Sequence, residues 1–191
     1  MKQEISKIEK IREATLKVVS TKGRNGASVA AIAAEAGVSV GYLYRYYNSK
    51  EELIGDLYET MVESVADALE EAMRGDLSME QLSDEYFRSL YRICTDRPDR
   101  MRFMILLQND SSYDSGGEAQ KRLRKLCNML YIRCRESNNF SSKITVDDLY
   151  MAMVVIPVQY MAQVLRRFFV SDTSAAYVVG KIRELALGAI R

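Results

Sequence analysis

The 191-residue sequence contains no histidine and no tryptophan, and it has only two prolines and three cysteines. Without histidine, the chain has no Ser-His or Cys-His catalytic pair and no HExxH zinc site. The absence of histidine does not exclude an enzyme that uses carboxylates. The cysteines are odd in number and form no CxxC pair, which is typical of reduced thiols in a cytoplasmic protein.

Long apolar segments are also missing. No uninterrupted apolar run reaches the roughly 18 residues that a membrane span needs. The N-terminal stretch "MKQEISKIEKIREATLK" is charged throughout, which is unlike a secretory signal. We therefore expect a cytoplasmic protein that does not contact a membrane, and we expect neither a metal nor a cofactor.

The residues that are present favour an all-α fold. Glycine and proline are sparse, whereas alanine, leucine, methionine, glutamate and arginine are common. Apolar residues recur at helical spacing along most of the chain. The pattern predicts nine helices at about residues 4–22, 29–36, 40–47, 50–74, 79–95, 98–108, 118–137, 145–169 and 173–190. We expect one unit at 1–48 and a second at 49–191.

The charge is unevenly distributed along the chain. Residues 1–50 contain nine Lys or Arg and four Glu, a net charge of +5, whereas the rest of the chain carries −4. A basic N-terminal unit on a mildly acidic body suggests that the N-terminal unit meets a polyanion. Chance fluctuation in a short window is the alternative.

The stretch "GVSVGYLYRYYNSKEEL" (37–53) has the features of a helix-turn-helix. Gly37 can take the left-handed conformation that ends a helix, and Ser39 can cap the next one. On that next helix, Leu43 and Tyr47 share the face that points to the core. The second helix of such a unit can enter the major groove of DNA. Ser49 and Glu52 have the spacing of a capping box for the fourth helix.

This region resembles the TetR family of bacterial transcriptional regulators. The family pattern reads approximately T-x-x-x-I-A-x-x-A-G-V-S-x-G-x-L-Y-x-Y-F-x-x-K-E-x-L, and residues 28–53 read "SVAAIAAEAGVSVGYLYRYYNSKEEL". Ser28 replaces the usual Thr, and Tyr47 replaces the usual Phe. Tyr47 must therefore place a hydroxyl at the edge of the core. The resemblance covers about residues 4–56; the rest shares only length and helical character.

The resemblance implies DNA contacts near the second helix of the motif. Tyr44 and Lys50 would contact phosphates. Arg45 is a further candidate for DNA contact, indicated by helix geometry rather than by the resemblance. The candidate DNA-contacting residues are Ser28, Ser39, Val40, Gly41, Tyr42, Tyr44, Arg45, Tyr46 and Lys50. Alternatives are that Tyr44 supports the turn, that Lys50 is merely solvated, that Tyr42 packs on the first helix, and that Ser28 only caps.

The resemblance also implies that the C-terminal body binds an effector. Methionine and aromatic residues suit an adaptable apolar cavity between helices four and eight. The candidate lining residues are Tyr58, Met61, Phe87, Tyr91, Phe103, Met104, Leu107, Leu126, Leu130, Met151 and Val155. Each could instead belong to the core. The absence of charge within the apolar stripes favours an apolar or amphipathic small molecule. Cys127 and Cys134 are interpreted as buried residues rather than as a redox sensor.

Dimerisation through the last two helices is implied as well. Small residues in the ninth helix allow close helix contact, and Pro157 should kink or locally unwind the eighth. The candidate interface residues are Arg166, Ala175, Ala176, Val179, Gly180, Arg183 and Leu187. Packing only within the subunit is the alternative.

The sequence therefore predicts a ligand-responsive, homodimeric DNA-binding regulator, with a repressor of a palindromic operator as the favoured form. A helical small-molecule or lipid-binding protein is a second hypothesis, but it leaves the basic N-terminal unit unexplained. An enzyme is a third. The carboxylate pairs that could serve an enzyme, Glu51–Glu52 and Asp147–Asp148, lie at predicted helix starts, where capping and the helix dipole account for them.

Overall fold

The computed structural model describes residues 2–111, 113, 116–136, 143–168 and 172–190, with backbone only for residues 2–6. These ranges contain helices and no strand, which confirms the predicted fold class. The α-helices and one π-helical segment are α1 Lys2–Gly26, α2 Val29–Ala36, α3 Val40–Leu43, α4 Lys50–Met73, α5 Met79–Asp96, α6 Pro98–Gln108, α7 Glu118–Glu136, α8 Val146–Tyr150, the π segment Met151–Val155, α9 Ile156–Leu165 and α10 Ala175–Gly188. The predicted loop "SNNFSSK" (137–143) lies outside the described residues except at Lys143.

The segments α8, the π segment and α9 follow one another without a break, so the described residues form nine helices when these three are counted as one. Pro157 lies two residues after the end of the π segment and has no N–H to donate to the preceding turn. The predicted local unwinding at Pro157 therefore takes the form of a π turn. Val146–Leu165 is long and apolar enough to cross a membrane, but half of its 18-residue window is buried, as in a core helix.

Two predicted helix ends differ from the structure. The eighth predicted helix ends at Leu165 rather than near residue 169, because the backbone at Arg167 turns left-handed with φ 53°. The N–H groups of Arg167 and Phe168 then bond back to Val164 and Gln163. The first helix breaks at Gly23 as predicted (φ 70°), but one more helical turn follows to Gly26.

Helix α4 lies at the centre of the body. It packs against α5, α6 and α7 and also contacts α1. Large side chains between these helices are fully buried, among them Tyr58, Tyr86, Phe87 and Phe103. Arg122 of α7 forms ion pairs with three carboxylates of α4, from Glu63, Asp67 and Glu70. Helix α10 packs on α5 and α9.

Ion pairs connect α1 to both ends of α6. Arg97 and Arg100, at the start of α6, reach Glu13 at 2.7 Å and 3.0 Å. At the other end of α6, Arg24 reaches Asp110 at 2.7 Å. The N-terminal unit is therefore held against the body at two separate places, in addition to its chain connection to α4. The unit boundary at residue 48 remains a prediction.

Candidate nucleic-acid interface

The turn between α2 and α3 has the geometry that the sequence predicts. Gly37 has φ 66° and ψ 33°, a left-handed conformation that glycine adopts without strain. The N–H of Val38 donates to Ala33 at 3.0 Å and closes the helix end. The Ser39 hydroxyl then accepts from the Tyr42 N–H at 3.1 Å and starts α3.

Helix α3 is shorter than predicted. It ends at Leu43 rather than at Tyr47, because the chain tightens into i→i+3 turns: Arg45 donates to Tyr42, and Tyr46 donates to Leu43. The predicted core face is confirmed, since Leu43 is 0% and Tyr47 8% exposed.

The outer surface of α3 and of the turn after it carries several of the predicted DNA-contacting residues. Val40 and Tyr44 are 39% and 51% exposed, and Arg45 is exposed as well. Gly41 lies between them, and a Cβ at this position would meet nothing within 4 Å. This surface is open to a large partner.

Tyr42 and Tyr46 form a pair on the neighbouring side of the motif. Their ring centroids are 5.4 Å apart, and their hydroxyls are 3.3 Å apart. The Lys7 ammonium of α1 lies 4.9 Å from the centre of the Tyr42 ring. Tyr42 therefore packs on the first helix, as the alternative had it, while the pair keeps polar atoms at the surface. The sequence analysis missed Lys7, because nothing in the periodicity of α1 sets it apart from the other lysines.

Tyr47 shows how a tyrosine is accommodated at a position where the family pattern has phenylalanine. Its hydroxyl donates to Asp56 Oδ2 of α4 at 2.8 Å, and Arg12 of α1 donates to the same oxygen at 3.0 Å. Burial raises the pKa of Tyr47, and the hydrogen bond to Asp56 raises it further, so the phenol stays a donor. The extra hydroxyl thus joins the end of the motif to α4 at a carboxylate that α1 also contacts.

Lys50, predicted to contact a phosphate or else to be solvated, makes two hydrogen bonds within the protein. Its ammonium donates to the carbonyls of Arg24 and Ala27 at 3.0 Å and 3.1 Å, and its side chain is only 18% exposed. It satisfies acceptors at the end of α1 and in the α1–α2 turn. Lys50 is therefore neither presented outward nor merely solvated, and the structure gives it a role in fixing the position of α2.

The serines act as helix caps. The Ser28 hydroxyl accepts from the Ala31 N–H at 3.2 Å. Ser49 accepts from the Glu52 N–H at 3.0 Å, but the predicted capping box is only half formed. The Glu52 carboxylate accepts from the N–H of Asn48, one residue earlier, instead of from that of Ser49. The neighbouring carboxylates Asp147 and Asp148 also lie at a helix start, where the Asp148 carboxylate accepts from the Thr145 N–H at 2.8 Å.

The predicted effector residues do not converge on one cavity. A body cavity of about 300 Å³ lies between α4 and the 146–165 helix; Tyr58 and Val155 line it. A junction cavity of about 290 Å³ lies between α1, α4, α5 and α6; Met61 and Met104 line that one. The largest group of predicted effector residues is buried in the core: Phe87, Phe103, Leu107, Leu126 and Leu130.

Two further predicted effector residues lie elsewhere. Met151 is 50% exposed, and the Tyr91 hydroxyl donates to the Thr173 carbonyl at 3.0 Å. The polar wall of the body cavity was not predicted. It is formed by Gln108, Asn109, Gln120, Tyr150 and Gln159. Helical periodicity does not separate a polar residue at a cavity from one at the surface. The π segment contributes the apolar side chains of Val154 and Val155 to the same cavity, and π turns are frequent at functional sites.

The predicted dimer residues divide into two groups. Arg166, Ala175 and Ala176 are exposed, whereas Val179 and Leu187 are 5% and 4% exposed within the single subunit. Arg183 donates to Asp84 of α5 at 2.7 Å. Gly180, Arg183 and Leu187 border a surface groove between α5 and α10, and a Cβ at Gly180 would meet nothing within 4 Å.

A helix-turn-helix mounted on a larger helical body is an architecture of DNA-binding proteins. The family model for bacterial regulatory proteins of the tetR family matches residues 11–57. The HTH-type transcriptional regulator YvdT of Bacillus subtilis is 36% identical over 75 residues, which are 39% of this chain and 39% of that protein. The chain thus spans well under two thirds of this curated relative.

Solved structures extend the likeness of the fold to the whole chain. A TetR family transcription regulator from Marinobacter aquaeolei is 24% identical with a TM-score of 0.79, over 100% of this chain and 98% of that one. The regulator FadR from Bacillus subtilis, solved in complex with stearoyl-CoA, has a TM-score of 0.72 at 15% identity, over 96% and 99%. Residues 11–57 thus match the tetR family by sequence, and the whole chain shares the fold of solved TetR-family regulators. The matched relatives are regulators rather than enzymes.

Proposed function

We propose that this protein is a cytoplasmic transcriptional regulator that binds a palindromic operator as a homodimer and acts as a repressor. The observation that supports this most directly is the exposed surface of α3 and the turn after it, which carries Val40, Tyr44, Arg45 and the open position of Gly41. Gly41 allows close approach of the backbone to DNA, and Tyr44 and Arg45 can donate to phosphates or base edges. The net charge of +5 on residues 1–50 favours association with DNA.

The dimer would form through α9 and α10. Small exposed residues, Ala175 and Ala176, begin α10, and the groove at Gly180 leaves space for a helix of a second subunit. A twofold axis there would present two copies of α3 to half-sites one or more turns of DNA apart. Leu187 would border the groove that receives the partner helix, whereas Val179 would support this surface from inside the subunit.

The effector would bind in the body cavity. Among the described residues, its lining consists of tyrosine, amide and valine side chains without a charged one, which suits a neutral or weakly polar small molecule. FadR, which shares this fold, was solved in complex with stearoyl-CoA. At about 30 Å³ per water-sized group, 300 Å³ holds about ten such groups, so a long acyl chain would need a larger cavity.

Release would follow from movement of α4. This helix contributes Tyr58 to the body cavity and begins two residues after Asn48, at the end of the DNA-binding motif. A ligand can shift the equilibrium between two positions of α4, and with it the separation of the two α3 helices. The size of this shift is limited by the difference between the ligand's affinities for the two states. A useful response needs a coupling of roughly 1–3 kcal/mol.

The experiment is fluorescence anisotropy of the purified protein with duplexes tiled across the DNA that flanks its coding region, at two salt concentrations. Tight binding to one duplex, with a steep salt dependence, is the expected result. Sedimentation of the complex should give two subunits per duplex. Uniformly weak binding to the flanking duplexes and to operators selected from random sequence would instead favour a helical ligand-binding protein without a role at DNA.

A further inference from the structure

We propose that the junction cavity is a binding site for a small amphipathic monocarboxylate. The cavity, about 290 Å³, lies where α1 meets the body helices α4, α5 and α6. It is separate from the body cavity, which lies beyond Tyr58 on the side of α7 and the 146–165 helix. Its floor is apolar and its rim is charged, so it offers two kinds of contact to one ligand.

The rim contains hydrogen-bond donors that lack acceptors. Arg12 uses its terminal nitrogen for Asp56, and Arg100 uses one of its terminal nitrogens for Glu9 and Glu13. The Nε–H groups of both arginines are buried and have no hydrogen-bond partner among the described residues. A buried donor without an acceptor is unfavourable, and the guanidinium fork matches a carboxylate. An added carboxylate between these side chains would supply the acceptors.

The charges at the rim disfavour a multiply charged ligand. Arg12, Arg97 and Arg100 line the cavity together with Glu9 and Asp96. The terminal nitrogens of these arginines also form ion pairs with Asp56, Glu13 and Asp99. A doubly charged phosphate would therefore meet strong repulsion from several carboxylates, whereas a monocarboxylate meets less and can accept from the two unpartnered Nε–H groups.

The floor accommodates an apolar tail. Met61, Met101 and Met104 line it together with Leu57. Methionine side chains are flexible and adapt their shape to apolar groups. At about 30 Å³ per water-sized group the cavity holds about ten such groups, which is the size of octanoate.

The position of the site connects it to the DNA-binding motif. Arg12 lines the cavity and donates to Asp56, which also accepts from Tyr47 at the end of the motif. A ligand bound to Arg12 and Arg100 would contact α1 and α6 at once. This step rests on the proposed function: octanoate is expected to change operator affinity by about fivefold or more.

The test is isothermal titration of the full-length protein with octanoate and, as the matched uncharged ligand, with octanol. Octanoate is expected to bind at least about tenfold more tightly than octanol. Ser64→Leu, which fills the junction cavity without removing an ion pair, is expected to abolish octanoate binding. Val155→Leu, which fills the body cavity, is expected to leave it unchanged. Arg100→Gln is expected to remove the preference for octanoate over octanol, and circular dichroism establishes that each variant folds.

Equal binding of the two ligands, or no binding of octanoate at millimolar concentration, would overturn the proposal. Loss of binding in Val155→Leu but not in Ser64→Leu would overturn it too, because the ligand would then lie in the body cavity. The titration needs no DNA, so it decides the site even if the protein binds no operator. Octanoate binding without an effect on operator affinity would overturn only the regulatory step.

Discussion

Tyr47 donates a 2.8 Å hydrogen bond to Asp56, and this contact fixes the end of the DNA-binding motif against α4. Arg12 of α1 donates to the same carboxylate oxygen. Two parts of the N-terminal unit, α1 and the turn after α3, therefore meet a carboxylate of the body helix α4. The connection between motif and body is thus a set of specific polar contacts as well as a continuous chain.

Replacing Tyr47 with phenylalanine should destabilise the protein without a direct effect on DNA contacts. The variant loses a hydrogen bond to a charged acceptor that is partly exposed, so we expect a cost of about 1 kcal/mol in the free energy of unfolding. Urea denaturation measures this change. The matched control is Tyr44→Phe: Tyr44 is exposed, so stability should be unchanged while operator affinity falls. The account of Tyr47 is wrong if both variants unfold like the native protein.

Replacing Lys50 with methionine should lower stability by about 2 kcal/mol, because the carbonyls of Arg24 and Ala27 lose their shared donor. The salt dependence of operator binding should stay the same, since Lys50 does not face outward. Lys22→Met, at an exposed position of α1, is the stability control. A drop of about one in the salt slope for Lys50→Met would show that its ammonium neutralises a phosphate instead.

Stability should depend on Glu13 at acid pH. The hydrogen bond from Arg97 lowers the pKa of Glu13, and Arg100 acts in the same direction. The pair therefore contributes at pH values above the ordinary pKa of 4.5, and its contribution is lost as the pH falls through the lowered pKa of the folded state. Because both partners are 41% exposed, we expect no more than about 1 kcal/mol.

Urea denaturation at pH 6 and at successively lower pH values measures this contribution. The difference in unfolding free energy between the native protein and Glu13→Gln should be largest at pH 6 and should shrink toward zero in acid. A difference that is constant with pH would mean that the ion pair does not contribute.

The cysteines should be inert in the folded protein. Burial raises the pKa of Cys94 and Cys127 to about 12 and that of Cys134 to about 11. The thiolate, which is the reactive form, is therefore scarce at pH 8. Ellman's reagent should label none of the three within minutes, and all three after denaturation. Rapid labelling of one thiol in the folded state would favour the redox sensor that the sequence analysis set aside.

The sequence was sufficient to predict the helices because their signals are local. Apolar periodicity, Gly37, Ser39 and Pro157 each act within one or two turns, and the structure places the turn and the local unwinding where they predict. The left-handed backbone at Arg167 carries no such signal, because a charged residue rarely adopts it, and the helix end there was missed.

The site was predicted less well, because contacts between distant segments decide it. The Lys50 side chain has two acceptors more than twenty residues away in sequence, and no local pattern shows them. The same holds for Lys7 over Tyr42 and for the polar wall of the body cavity. Apolar spacing identifies a buried residue such as Phe87 or Leu130, but it does not tell whether the residue borders a cavity or another side chain.

The most direct measurement is operator affinity for the native protein, for Arg45→Ala and for Arg92→Ala, an exposed arginine of α5, over a range of salt concentrations. The account predicts that Arg45→Ala weakens binding at least about tenfold and lowers the salt slope by about one, whereas Arg92→Ala changes neither. Equal binding by all three proteins, or an equal loss in both variants, would contradict the assignment of the α3 surface as the DNA-binding site.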